Sequence, residues 1–263
     1  MAIDGNVPAS TEVVVIGGGI AGVSTAWFLQ QLGVPVVLCE KGRIAGEQSS
    51  RNWGWIRKQG RDPAELPLII KSLELWAEIA ATLGEDIGWQ VGGVTYLAET
   101  EIDAAQYAEW LEHAKAYQLD SRLLTKRDVD ALLPGNRARQ LGGLHTPSDA
   151  RAEPQLAVPA MAGHLRNAGV PILERCAVRT IERSGGPVSA VVTERGRIAC
   201  RTVVLAGGAW SRTMLEHLGS NLPQLQVIAS VQRTEPAPLI TESAVGGRAV
   251  AFRRRADGGY TLA

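Results

Sequence analysis

A chain of 263 residues is long enough for two modest domains and a sizeable core. Apolar residues make up 45% and charged residues 21%, and 27 Lys and Arg balance 27 Asp and Glu, so the composition is that of a globular protein and nothing in it suggests a nucleic-acid partner. The four histidines (His113, His145, His164, His217) show no metal-ligand spacing, and three cysteines (Cys39, Cys176, Cys200) without a C-x-x-C argue against a disulfide framework or a zinc site.

Residues 1–10 read as a loose leader. The β-branched run at 13–16 reads as a buried parallel strand. It enters Gly17, Gly19 and Gly22 at the spacing G-x-G-x-x-G, and a helix follows as far as Gly33. Residues 34–39 read as a second buried strand ending on Glu40, 18 residues after Gly22. A lone G-x-G-x-x-G says little, but strand, glycines, helix, strand and acid in this order describe a dinucleotide cradle. Gly17 permits a tight turn, Gly19 lets a pyrophosphate approach the backbone, and Gly22 lets helix pack on strand. The helix start offers N–H groups to phosphate, and Glu40 can accept from ribose hydroxyls. The apolar run at 13–20 is preceded by Asp4 and Glu12 rather than by a basic residue, unlike a signal-peptide core. No apolar run reaches the ~20 residues of a membrane span. The expectation is a cytoplasmic, reduced protein, with peripheral attachment to the inner membrane as the alternative.

Residues 41–55 are too polar and glycine-rich for core, and their hydroxyl residues and glycines suit a second set of backbone N–H groups facing an anion. Asp62 can cap a helix with Pro63 at its first position and Glu65 closing a capping box. That helix runs to about Leu83, and its stripe Leu66, Ile69, Ile70, Leu73, Trp76, Ala77 and Ala80 is expected in the core. A strand at 92–97, a helix at 101–119 and a short helix capped by Thr125 and stopped by Pro134 follow. Residues 154–168 read as a helix ending at Gly169. Strands at 176–182, 188–194 and 197–206, with a turn at Arg195-Gly196, read as a β-meander crossover. The last runs through Ala206-Gly-Gly-Ala-Trp210 into a helix to 218. Strands are expected again at 224–234, 249–255 and from 260, with Asp257-Gly258-Gly259 as a turn. The last one reaches Ala263 in mid-pattern, which predicts an unpaired sheet edge there.

Three segments together carry a resemblance: Val15-Ile-Gly-Gly-Gly-Ile-Ala-Gly22 with Glu40, Ser49-Ser-Arg-Asn-Trp-Gly54, and Thr202-Val-Val-Leu-Ala-Gly-Gly-Ala-Trp-Ser211. They resemble the D-amino-acid-oxidase-like (DAO) superfamily of FAD-dependent oxidoreductases, which includes glycine and sarcosine oxidases and D-amino-acid dehydrogenases. The resemblance implies that Gly17, Gly19, Ile20, Ala21 and Gly22 approach the FAD pyrophosphate. It implies that Glu40 holds the adenosine ribose and that Lys41 lies near the adenine. Ser49, Ser50, Arg51, Asn52, Trp53 and Gly54 would run past the pyrophosphate and under the flavin. Val178 would meet the adenine edge, and Ala206, Gly207 and Gly208 would pass close to the dinucleotide. Phe252 and Arg254 match a strand that lines the substrate pocket in relatives. Against this, Arg254 also reads as one of three adjacent surface arginines, and Trp53 and Trp55 as core aromatics. Relatives continue into a C-terminal segment that has no counterpart here, so the chain is expected to correspond to their N-terminal two-thirds.

The implied architecture is α/β: a Rossmann-like FAD-binding domain with a β-meander crossover (1–60 and 150–220), and an inserted α+β substrate domain (61–149 and 221–263). The implied reaction is oxidation of the C–N bond of an amino acid or secondary amine by hydride transfer to flavin N5, with oxygen or a quinone as electron acceptor. No catalytic residue and no metal ligand is assigned. The alternatives are a nucleotide-binding chain that needs a partner subunit or a missing segment to complete its site, and an NAD-dependent dehydrogenase.

Overall fold

The computed structural model describes residues 6–263 except 85, 138 and 226, and the chain divides into two compact units. The first holds the chain up to Asn52 together with Pro154–Ala229, and the second holds Trp53–Glu153 and Ser230–Ala263.

In the first unit, β1 (Val13–Ile16), α1 (Ile20–Gln31) and β2 (Val36–Cys39) form the βαβ motif. Then come α2 (Pro154–Asn167), β3 (Ile172–Leu173), the meander β4 (Val178–Arg183), β5 (Val188–Thr193) and β6 (Gly196–Ala199), then β7 (Thr202–Leu205) and α3 (Ser211–His217). The parallel sheet has the order β7-β1-β2-β3, so β1 is paired on both sides. Alternation along β1 and β2 separates two packed faces. Val14, Ile16, Val37 and Cys39 pack with Cys176, Val178, Val191, Ile198 and Cys200 of the meander side. Val15 points the other way, where Gly22 of α1 lies against it, and α1 packs on α2 with Trp27 against His164 at 4.6 Å. Each such fully buried aliphatic side chain stabilises the unit by roughly 1.5–3 kcal/mol. All three cysteines are buried and unpaired. Burial, with the neighbouring Cys176 and Cys200, pushes the Cys39 thiol up to about 12, and burial likewise raises that of Cys200.

Two expectations change here. The strand expected at 197–206 is two strands in two sheets. Cys200 N–H still donates to Ser189 in the meander, whereas Arg201 and Thr202 donate to the carbonyl of Glu12 beside β1. The residue pattern stays β throughout because both partners demand the same period, so only the change of partner marks the break. Of the leader, residues 1–5 lie outside the described residues. The rest is tied down: the Ala199 N–H donates to the carbonyl of Ala9, its carbonyl accepts from Thr11 N–H, and Ser10 bridges to it.

The second unit has a seven-stranded sheet with the order 232–233, 260–262, 251–254, 244–246, 94–98, 142–146, 122–125. Among these strands, only the pairing of Ala244–Gly246 with Val94–Ala98 is parallel. A small sheet places Ala150–Arg151 between Trp55–Ile56 and Gln90–Val91. Capping boxes start the helices Glu101–Ala116 (Thr100 with Asp103) and Lys126–Leu132 (Thr125 with Asp128). Arg248 also holds Asp103 through its guanidinium, and these bonds lower the Asp103 carboxyl to about 2.

Several expectations fail in this unit. Of the strand expected at 224–234, only Gln232–Arg233 forms. Residue 226 lies outside the described residues, and Leu225, Val227 and Ile228 stand exposed at 91%, 84% and 93%. A β-prone run without a partner does not make a strand. Three strands of this sheet have no counterpart among the expected elements: Arg122–Thr125, Gly142–Thr146, and Ala244–Gly246, the last short and ending on glycine, which hides it. Tyr260–Leu262 is not a sheet edge, because Leu262 pairs with both Phe252 and Gln232. The helix after Asp62 opens with a 3-10 turn, Pro63–Glu65, before Leu66–Leu83. Asp62 caps Ala64 N–H at 2.8 Å as expected, but Glu65 closes no capping box and pairs with Arg61 instead. The apolar stripe is mostly not core. Of the stripe only Leu66 is buried, Ile69, Ile70, Leu73, Trp76 and Ala80 are half-buried, and Ala77 is exposed, while Ile79, outside the stripe, is the helix's other buried residue.

The arginine run is not a surface feature either, since Arg253 and Arg255 are 2% and 6% exposed and Arg254 is half-buried. Arg253 donates to both oxygens of Glu153 at 2.7 and 3.0 Å, and Glu153 also accepts from Ala256 N–H. Burial alone raises the Glu153 carboxyl, but Arg253 and the N–H outweigh it and hold it below its ordinary value. Asp149, fully buried, accepts from the N–H groups of Lys58 (2.8 Å) and Gln59 (3.1 Å), with Lys58 Nζ at 3.9 Å. Burial outweighs these partners and raises its carboxyl to about 6.

Two predictions follow from these buried charges. Glu153→Ala leaves Arg253 buried and unpaired and is expected to lower unfolding stability by about 3–5 kcal/mol, whereas the double variant Glu153→Leu/Arg253→Met recovers most of the loss; urea titration measures both. Because the Asp149 carboxyl is raised on folding, its contribution to stability is full below pH about 4 and is lost as pH rises through about 6. The melting temperature of the wild type relative to Asp149→Asn should therefore rise as pH falls from 7 to 4. A difference that stays flat over that window would show that Asp149 is ionised in both states.

Candidate dinucleotide site

The site grows from the end of β1. Gly17 takes φ +114°, a region closed to most side chains, and a Cβ there would collide with the carbonyl of Ala206. Ala206 in turn donates its N–H to the carbonyl of Ile16 at 2.8 Å, so the turns after β1 and β7 lie backbone against backbone. A Cβ on Gly22 would collide with the carbonyl of Gly17, which fixes α1 directly on the turn. A Cβ on Gly19 would come within 3.0 Å of Ser49 Oγ.

Glycine at the cap leaves the first-turn N–H groups of α1 without intrahelical partners. Ser49 Oγ accepts that of Ile20 at 2.8 Å, and the next N–H groups belong to Ala21 and Gly22. Glu40, 8% exposed, sits at the end of β2. Its two oxygens accept from Gly18 N–H at 2.7 Å and Gly42 N–H at 2.6 Å. It therefore braces the glycine turn and the loop after β2 while keeping lone pairs free for further donors.

These elements enclose a cavity of about 330 Å³, near the lower bound for a small-molecule site. Of the residues singled out from sequence, Gly17, Gly19, Glu40, Lys41, Ser49, Val178, Ala206, Gly207 and Gly208 line it together. Ile20, Ala21 and Gly22 stand behind the turn in α1. Ser50, Arg51 and Asn52 do not line the cavity but bind their own loop. Ser50 Oγ donates to the Glu47 carbonyl, Arg51 to that of Gly46, and Asn52 to those of Gln48 and Ser49.

Trp53, Gly54, Phe252 and Arg254 belong to the second unit. Trp53 is 38% exposed and meets Trp55 edge-on at 5.2 Å, so it is not a core aromatic, and Gly54 takes φ +74°. Phe252 contacts Tyr260 edge-on at 6.0 Å, and Arg254 lies over the same ring and donates to the Ala237 carbonyl.

Sequence reasoning missed several lining residues. Glu47, Trp210 and His217 reach the cavity, with Trp210 under the Lys41 ammonium. Glu174, the residue after β3, accepts Ile44 N–H at 2.7 Å and pairs with Arg166, anchoring the loop after β2 to the far edge of the sheet. An acid directly after a short apolar strand, as at Glu40, is the signal that could have found it. Among the described residues no group of three or more His, Cys, Asp or Glu could hold a metal ion, and no helix is long and apolar enough to cross a membrane.

A glycine turn with no room for side chains, helix N–H groups above it and a braced carboxylate beside it fit the ADP half of a dinucleotide. The comparisons agree. The chain is 31% identical over 222 residues to a sarcosine oxidase subunit beta from Arthrobacter, covering 81% of this chain and 55% of that protein. It is 27% identical over 224 residues to the mitochondrial sarcosine dehydrogenase of Mus musculus, covering 82% and 24%. The chain thus spans about half or less of the length of these relatives. Its fold superposes on the L-amino acid deaminase of Proteus myxofaciens, solved with anthranilate, with a TM-score of 0.94 and 34% identity, over 98% of this chain and 59% of that one. The NAD reading gains no support from any of these. The profile of the FAD dependent oxidoreductase (DAO) family matches residues 12–263, and the chain belongs to that family.

Proposed function

We propose that this chain supplies the FAD-binding part of an oxidoreductase that oxidises the C–N bond of an amino acid or secondary amine. The observation that carries the reading is the cavity in which the Gly17 turn, the α1 N-terminus and Glu40 converge. The sarcosine and amino-acid chemistry named for the relatives supports the substrate class.

In this reading the N–H groups of Gly19, Ala21 and Gly22 take the pyrophosphate, helped by the positive end of α1. Glu40 accepts from the ribose hydroxyls with the lone pairs that Gly18 and Gly42 leave free. The backbone at Val178 meets the adenine edge. Ser49 orders the loop that passes the phosphates, and Trp53 and Gly54 continue that loop toward the flavin. FAD, when bound, supplies the acceptor for the hydride of the amine. Phe252 and Arg254 are the candidates for contact with substrate. Oxygen or a quinone is the electron acceptor in this proposal; the names oxidase and dehydrogenase both occur among the relatives.

The test is the visible spectrum of the purified chain and its flavin content after denaturation. Near-stoichiometric FAD is expected, followed by anaerobic bleaching with a secondary amine or an amino acid. A colourless chain that takes up no added FAD would end the proposal. Glu40→Gln keeps the shape but weakens both backbone bonds and the ribose contact, so FAD affinity should fall about tenfold. Gly17→Val should abolish FAD binding, because the side chain has no space against Ala206.

A further inference from the structure

Among the described residues of the second unit, every buried cation has an acid. Lys58, Arg151, Arg253 and Arg255 pair with Asp149, Glu242, Glu153 and Asp257. The half-buried Arg57 and Arg254 have none, and each lies over a tyrosine ring instead, 5.5 Å from the centre of Tyr96 and 6.0 Å from that of Tyr260. The two pairs differ in their hydroxyls. That of Tyr260 is taken, donating to the Pro238 carbonyl and accepting from Ile240 N–H. That of Tyr96 has no partner among the described residues, and of the Arg57 guanidinium only Nη1 is used, on the Gln59 carbonyl. Neither the hydroxyl nor the unused guanidinium N–H groups are among the buried orphaned atoms, so both are open to solvent. Burial raises the Tyr96 hydroxyl, which keeps it a donor. Burial, with Arg61 nearby, draws the Arg57 guanidinium down, a cost that an anion beside it would relieve. Rings continue from this pair, with Trp55 6.2 Å from Tyr96 and Trp53 5.2 Å from Trp55, centre to centre. Glycines make room for them. A Cβ on Gly246 would come within 2.9 Å of Tyr96 and 3.4 Å of Trp55, and one on Gly60 within 2.8 Å of Tyr96.

We propose that Arg57 and Tyr96 take the carboxylate of the substrate while Trp55 and Trp53 take its side chain, so that the second unit selects amino acids with a bulky apolar side chain over simple amines. The inference rests on the oxidoreductase reading above and narrows its substrate. A guanidinium with unused N–H groups beside a phenol hydroxyl supplies the charge-assisted donors that the two oxygens of a carboxylate accept. The neighbouring rings supply a large apolar area at the same place. Trp53, 38% exposed, is the outermost ring, and its carbonyl is held by Arg253. The strand register separates this site from Arg254. Tyr96, Gly246 and Ala251 are paired across three strands and share one face, whereas Phe252 and Arg254 fall on the other. One carboxylate therefore cannot meet both arginines.

The experiment titrates the full chain with phenylacetate and with benzylamine, which share a benzyl group and differ in charge, and follows tryptophan fluorescence with calorimetry as a second probe. The flavin content of the same sample is measured separately. The acid is expected to bind at least about tenfold more tightly than the amine. Arg57→Gln should weaken the acid by about ten- to a hundredfold, and Arg57→Lys, which keeps the charge but not the fork, by less. Tyr96→Phe keeps the ring and its packing, so a loss of about three- to tenfold there comes from the hydroxyl and not from the fold. Neither Arg57→Gln nor Tyr96→Phe should weaken the amine. A flavin-bearing chain that binds the amine as tightly as the acid, or binds neither, overturns this inference alone. So does one in which Arg57→Gln and Tyr96→Phe leave the acid untouched, or in which Arg254→Gln removes acid binding and Arg57→Gln does not. A chain that takes up no FAD overturns the cofactor reading and the substrate assignment with it.

Discussion

The carbonyl of Gly17 occupies the space where a side chain at residue 22 would stand, and the carbonyl of Ala206 does the same to residue 17. These two backbone contacts set the first unit. They bring α1 down on β1, they bring the turn after β7 against the turn after β1, and they leave a floor without side chains. Every other part of the cavity is hung from that floor. Glu40 ties the loop after β2 to it through Gly18, Ser49 ties the next loop to it through Ile20, and Glu174 anchors the outer end of the same chain segment. A site built in this way is rigid at its backbone floor and adjustable only at its rim.

The second unit solves a different problem, that of keeping charge inside. Arg253, Glu153, Asp149 and Lys58 are all buried, and each is held by more than one partner. Pairs of this kind are poor sources of net stability, because desolvation offsets most of the attraction. They do define a single arrangement, since any other would strand a charge. Glu153 illustrates this, because its carboxylate fixes both Arg253 and the turn at Ala256, beside the strand that carries Phe252 and Arg254.

Much of the first unit was legible because its chemistry is local. The glycine spacing, the buried strands on either side and the acid at Glu40 lie within one short stretch, and each has a single physical reading. The parts that misled were those whose meaning depends on distant partners. Residues 197–206 keep one period while changing sheets, the described residues of 224–231 look like a strand in sequence but pair with none, and the three adjacent arginines look solvated because Glu153 and Asp257 are far from view in sequence or undistinguished. The same holds at the cavity. Trp210 and Glu47 acquire significance only once the strand order brings the ends of β2 and β7 to either side of β1.

All three thiols lie in the first unit, buried in one cluster, and the second unit contains none. A thiolate is the reactive form, and burial holds Cys39 far from it at neutral pH. Alkylating reagents therefore find nothing to react with until the meander parts from the parallel sheet. Labelling rates then become a built-in clock for the opening of the first unit, blind to whatever the second does. The two units carry, in their composition alone, the means of telling their stabilities apart.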